Sequence, residues 1–171
     1  MNHEASARVV IDMPRELAWE LLKDLSLAHH YVPGVLRCEL HEGPRQGLGA
    51  SRRVYQKMGR WMDETVTEWN EGSGFVIRLH RGDKGPSAPF KQAQFRYRLE
   101  DAGHGQTALT TSLVFDMRWG ALGRSLYRRL MAGAFRGIIR DISVSMKAFY
   151  ESRGLKSVAG DAEQTVLDGG H

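Results

Sequence analysis

The residues best suited to chemistry fall in two neighbouring runs of alternating pattern. In Trp61–Trp69 (WMDETVTEW) one register groups Trp61, Asp63, Thr65, Thr67 and Trp69. The preceding run, Ala50–Met58, can bring Arg53 and Tyr55 to the same side. Turned toward an interior, Asp63 would be desolvated, its pKa raised, and fit to act as a base. Arg53 and Tyr55 would then serve as acid–base or oxyanion groups. A structural Asp63–Arg53 ion pair across neighbouring strands fits the same spacing. Neither register of 50–58 or 61–69 is purely apolar, so the pattern leaves inward and outward open.

Other candidates carry less. His29 and His30 are adjacent, which on a helix points them about 100° apart. With no third ligand at suitable spacing, no metal site is expected. His41, His80 and His104 fall at strand ends or turns. Cys38, the single cysteine, reads as a small buried or semi-buried filler and cannot form an internal disulfide. No G-x-S-x-G, no G-x-G-x-x-G and no P-loop is present. Gly120–Ser125 (GALGRS) lacks the Lys and spacing of a phosphate loop and reads as a strand-to-helix turn. No cofactor is expected.

Length and charge narrow the classes further. The chain has 171 residues, enough for one domain with its own core. The formal net charge is +4, and 18 of the 24 cations are arginines. They spread along the whole chain, as on a solvated surface, so no nucleic-acid site is expected. Phe95 and Tyr97 alternate with Arg96 and Arg98, but period two puts the rings inside and the arginines outside. No apolar run approaches the ~20 residues of a membrane span, and the polar Met1–Arg8 lacks a signal-peptide pattern. A cytoplasmic protein without membrane insertion is the expectation.

These residues need elements to place them. Ser6–Met13 is a β-rich run; Pro14 then opens a helix, with Asp12 near its cap, and Leu25–Tyr31 forms a second helical turn. Six strands follow at meander spacing: Val35–His41, Ala50–Met58, Trp61–Trp69, Phe75–His80, Lys91–Glu100 and Gln106–Met117. In the last two the faces are clear, with Phe95, Tyr97 and Leu99 on one side and Leu109, Thr111, Leu113, Phe115 and Met117 on another.

A long helix from about Leu122 to Arg153 closes the pattern. Its expected apolar stripe is Tyr127, Leu130, Met131, Ala134, Phe135, Ile138, Ile142 and Phe149, opposite Arg129, Arg136, Arg140 and Lys147. Gly133 and Gly137 inside it point either to close packing on the sheet, the preferred reading, or to room left for a ligand. Gly154 should end the helix and residues 154–171 should form a disordered tail, leaving 1–153 as the domain.

The fold class is therefore α+β, with a curved antiparallel sheet of about seven strands wrapped around a long C-terminal helix. Order and wording together resemble the helix-grip fold of the START-like (SRPBCC) superfamily. ARVVIDMPRELAWELLKDLSLAHHYVPGV resembles its opening strand and two helices, GRWMDETVTEW a central strand, and TSLVFDMRWGALGRSLYRRLM the last strand passing into the helix. Within it the chain is most similar to the polyketide cyclase/dehydrase-type group. The resemblance implies a cavity for a hydrophobic, lipid-like, aromatic or polyketide-like molecule between sheet and helix. The residues expected to line it are Phe75, Phe95, Tyr97, Thr111, Leu113, Phe115, Tyr127, Met131, Phe135 and Ile138. A non-catalytic binder is the first reading. A cyclase or dehydratase using Asp63, Arg53 and Tyr55 is the second. A ribosome- or protein-interacting factor like the coenzyme Q-binding/toxin branch is the third. A homodimer is compatible with all three.

Overall fold

The computed structural model describes residues 1–118 and 131–168, with 155–168 as backbone alone. The period-two runs form seven strands in one antiparallel sheet, ordered β1-β7-β6-β5-β4-β3-β2. These are β1 (His3–Ile11), β2 (Val35–Leu40), β3 (Ser51–Gln56), β4 (Trp61–Asn70), β5 (Gly74–His80), β6 (Phe90–Gly103) and β7 (Gln106–Met117). Between β1 and β2 lie α1 (Arg15–Leu22), a 3-10 turn (Leu25–Leu27) and α2 (Ala28–Tyr31). Pro14 supplies the extended residue before α1, but no side chain caps that helix, Asp12 included. Asp24 caps the 3-10 turn, accepting from the Ser26 N–H at 2.9 Å.

Register fixes which side chains share the inner face. Ile77, Phe95, Leu113 and Ala5 lie in one row across β5, β6, β7 and β1. Trp69, Phe75, Tyr97, Thr111 and Ala7 form the next row. Trp69 joins it because a bulge between Val66 and Glu68 turns the end of β4. Its ring stacks on Phe75 at 5.5 Å, and α1 adds Trp19 at 4.9 Å from Trp69. The Glu71 carboxylate ties both indoles, accepting from Trp19 at 2.6 Å and Trp69 at 2.9 Å.

The long helix, α3, spans Ala132–Asp168 and packs on β1 and β7 at one edge of the sheet. Its buried stripe is Ile139, Ile142, Ser143, Met146 and Tyr150, flanked by half-buried Phe135 and Phe149. The expected stripe was rotated by about one residue. Ile138 is 51% exposed while Ile139 is fully buried, so Ile138 lines nothing inside. Ala134 is exposed as well.

Two further expectations on this helix are corrected. A methyl group on Gly133 or Gly137 would meet open space, so neither glycine serves close packing on the sheet. Gly154 does not stop the helix, which continues to Asp168. Instead of a left-handed cap it provides a close approach, since a Cβ there would lie 3.1 Å from the Met13 methyl. The start expected at Leu122, with Gly120, Gly123, Tyr127, Arg129 and Leu130, lies outside the described residues.

Candidate functional site

Alternation along β3 and β4 decides where the polar groups go. Val54 faces Met62 and Arg52 faces Glu64 across the pair, and these residues turn inward. Arg53, Tyr55, Trp61 and Asp63 therefore occupy the opposite, outer face. The mixed composition of both registers concealed this, because the inner register carries a charge pair of its own.

That pair is the polar centre of the inner face. Arg52 donates from Nε to Glu64 Oε2 at 2.6 Å, and its Nη2 lies 2.6 Å from the same oxygen. Nη1 donates to the Leu25 carbonyl at 2.6 Å, which also accepts weakly from Cys38 Sγ at 3.4 Å. The side chains are 3% and 9% exposed. Three buried phenols feel the charge of this guanidinium: Tyr31 from α2, Tyr97 from β6 and Tyr150 from α3. Tyr31 and Tyr150 meet edge to face at 6.1 Å.

Electrostatics follow from burial. Desolvation raises all three phenols above the ordinary tyrosine value, against the partial relief that the Arg52 charge gives. Burial would lower Arg52, but Glu64 outweighs it and holds the guanidinium protonated. Burial also pushes the Cys38 thiol up, so it is no reactive thiolate. Sequence reasoning missed Arg52, Glu64 and Tyr150. A signal existed in the cross-strand match of one cation with one anion at equivalent inward positions.

Several inner-face residues beside the polar centre are only half-buried. Phe95 lies mid-row between buried Ile77 and Leu113, yet its own ring is only half-buried. Met62, Phe90, Met131 and Phe135 are likewise half-buried against the core. Phe75, Tyr97, Thr111, Leu113 and Phe115 are buried. Phe115 packs between Phe90 at 5.1 Å and Phe135 at 5.3 Å, and Thr111 Oγ1 reaches Met146 Sδ at 3.9 Å. The structure thus brings eight of the ten expected lining residues to the inner side. Ile138 points out, and Tyr127 lies outside the described residues.

A family model described as polyketide cyclase / dehydrase and lipid transport matches residues 2–151. The chain belongs to that family. Solved structures share the fold at low identity. A Thermus thermophilus protein matches with TM-score 0.66 at 18% identity, over 88% of this chain and 99% of that one. A START superfamily protein from Mycobacterium smegmatis gives 0.65 at 13%, over 88% and 99%. Ginseng major latex-like protein 151 from Panax ginseng gives 0.64 at 15%, over 86% and 97%. A probable endo-beta-1,4-glucanase from Aspergillus clavatus is 33% identical over 88 residues, which are 52% of this chain but 20% of that protein. The match thus spans about a fifth of the curated relative's length.

The expected catalytic trio, Asp63, Arg53 and Tyr55, lies on the outer face of the sheet. Asp63 accepts from Arg53 Nε at 2.7 Å and Nη2 at 3.0 Å, and from the Gly82 N–H at 3.0 Å. His41 Nε2 lies 3.3 Å away. Burial would raise this carboxyl, but the Arg53 and Gly82 hydrogen bonds and the Arg53 and His41 charges hold it below the ordinary range. That is the reverse of a desolvated base. Arg53 lies over the Trp61 ring at 4.0 Å, with Arg81 at 4.6 Å from the same ring. Tyr55 donates to Glu39 at 2.7 Å and lies beneath Arg37 at 3.7 Å. These are clasps of the outer face. Among the described residues no cluster of three metal-ligating side chains occurs, and no helix is long and apolar enough to cross a membrane.

Because the folded carboxyl is depressed, its stabilisation is present above the unfolded value of about 4 and is lost as pH falls through the folded value. Asp63→Asn should cost about 1–3 kcal/mol at pH 7 and less near pH 3, read from urea midpoints. Binding of an apolar probe at the inner face should be unchanged.

Proposed function

We propose that this chain binds an apolar small molecule on the inner face of its sheet, between β4–β6 and α3. The observation that carries the reading is Phe95. An aromatic ring in the middle of a packed row should be fully covered, since interiors are close-packed. Among the described residues α3 packs mainly on β1 and β7 and reaches β6 through Phe135 on Phe90, while Met62, Phe90, Phe95, Met131 and Phe135 stay half-buried. A mostly apolar surface with a few convergent polar groups is the usual composition of a small-molecule site. Membership of a family whose description includes lipid transport supports the same reading.

The cyclase or dehydratase alternative keeps one favourable observation, the buried Arg52–Glu64–tyrosine cluster. Against it, Glu64 Oε2 already takes two guanidinium donors, so the carboxylate best placed as a base is held by its cation. The binding reading is therefore preferred.

The test combines native mass spectrometry, extraction of the purified protein and titration with N-phenyl-1-naphthylamine. An apolar molecule should co-purify or be displaced by the dye. Phe95→Trp should weaken dye binding at least tenfold while costing less than the roughly 1–3 kcal/mol of overpacking a filled core. Empty protein, with no melting shift from any hydrophobe, refutes the reading.

A further inference from the structure

We propose that Tyr150 selects ligands bearing a neutral carbonyl oxygen, its hydroxyl donating the hydrogen bond that holds this oxygen at the polar end of the inner face. The inference rests on the binding reading and adds the ligand's polar chemistry.

Tyr150 is fully buried, and its hydroxyl has no hydrogen-bond partner among the described residues. Buried hydroxyls are seldom left so, and one that is needs an account. Its ring is fixed on α3 by Tyr31 at 6.1 Å and Phe149 at 6.0 Å, so it cannot swing out to find water. The hydroxyl belongs to the cluster formed by Tyr31, Tyr97 and Arg52. Tyr97 in turn stacks on half-buried Phe95 at 6.0 Å, which joins this polar end to the half-buried apolar residues of the inner face.

The chemistry of the missing partner follows from what surrounds it. The cluster is rich in donors: one guanidinium and three phenols. Two acceptors beside it are already engaged. Glu64 Oε2 receives two Arg52 nitrogens, and the Leu25 carbonyl receives Arg52 and Cys38. The Tyr150 proton is thus left without an acceptor, and a ligand that completes the site supplies one. The Arg52 charge is balanced by Glu64, so no cation is left over for a ligand carboxylate or phosphate, and an unpaired buried anion is costly. A ketone, quinone or ester carbonyl meets both conditions. Burial holds the Tyr150 phenol well above its ordinary pKa, so it remains a donor across the physiological range.

The experiment compares α-tetralone with tetralin, two bicyclic probes differing by one carbonyl, against the full chain and Tyr150→Phe by calorimetry. The variant keeps the ring and deletes the hydroxyl. It should weaken α-tetralone by roughly five- to tenfold, as loss of one hydrogen bond predicts, and leave tetralin within twofold. Without ligand its melting temperature should stay level or rise, because no protein partner is lost. Equal effects on both probes, or a lower melting temperature with unchanged selectivity, overturn the proposal and make the hydroxyl structural. If neither probe binds the full chain this inference falls, and if in addition no hydrophobe shifts the melting temperature the binding reading falls with it.

Discussion

Arg52→Met and Glu64→Leu should each cost about 3–5 kcal/mol when made alone, and the double variant should cost less than either. The ions are 3% and 9% exposed and lie 2.6 Å apart, so each neutralises a charge that water cannot reach. Removing one leaves the other buried and uncompensated, which is far worse than removing both. The two single variants should also differ with pH. In Arg52→Met the stranded Glu64 carboxylate can take up a proton, so the folded state binds more protons than the unfolded one and the defect shrinks as pH falls. In Glu64→Leu the stranded guanidinium cannot lose its proton at accessible pH, so the defect stays constant. Urea midpoints at pH 7.5 and 5 separate the cases. Additive costs would mean that the pair is not coupled and that the polar centre is looser than its distances indicate.

The same pair explains where the sequence was legible and where it was not. β6 and β7 each have one apolar and one polar register, so Phe95, Tyr97, Leu113 and Phe115 could be placed inward from alternation alone. β3 and β4 could not be read this way, because Arg52 and Glu64 satisfy each other across the strands. An inward cation beside an inward anion looks, one strand at a time, like a wet face. The outer register then attracted attention through Asp63, Arg53 and Tyr55, which form their own clasps there. Trp61 and Trp69 share a parity in sequence but not a face, since the bulge after Val66 carries Trp69 inside. Adjacent Ile138 and Ile139 fit the helix equally well by hydropathy. Met146 and Tyr150, both buried, settle the phase in favour of Ile139. Fold order was thus readable from local pattern, while the site depended on pairing between strands.

Gly74→Ala should be the most damaging single change of a small side chain, because two independent costs coincide at one position. Gly74 opens β5 with φ +143°, a conformation that side-chain-bearing residues rarely adopt. A Cβ built there would also lie 2.0 Å from the Tyr97 carbonyl oxygen and 3.1 Å from Arg98 Cα, both backbone atoms of the paired strand. No rotamer change relieves a clash with backbone, so β5 must separate from β6 where Phe75 faces Tyr97. Overpacking of about 1–3 kcal/mol and backbone strain of about 1–3 kcal/mol give a loss of roughly 2–6 kcal/mol. Gly137→Ala supplies the contrast. It adds the same methyl to an α-helix facing open space and should stabilise by about 0.5–1 kcal/mol. Paired denaturation curves test both signs at once. Because Gly74 sets the β5–β6 spacing that holds Phe75 against Tyr97 at 5.3 Å, ligand affinity should fall with stability in Gly74→Ala and remain unchanged in Gly137→Ala. A Gly74→Ala protein as stable as the parent would mean that the β5–β6 separation adjusts freely, and the inner face could not then be the rigid surface that selective binding requires.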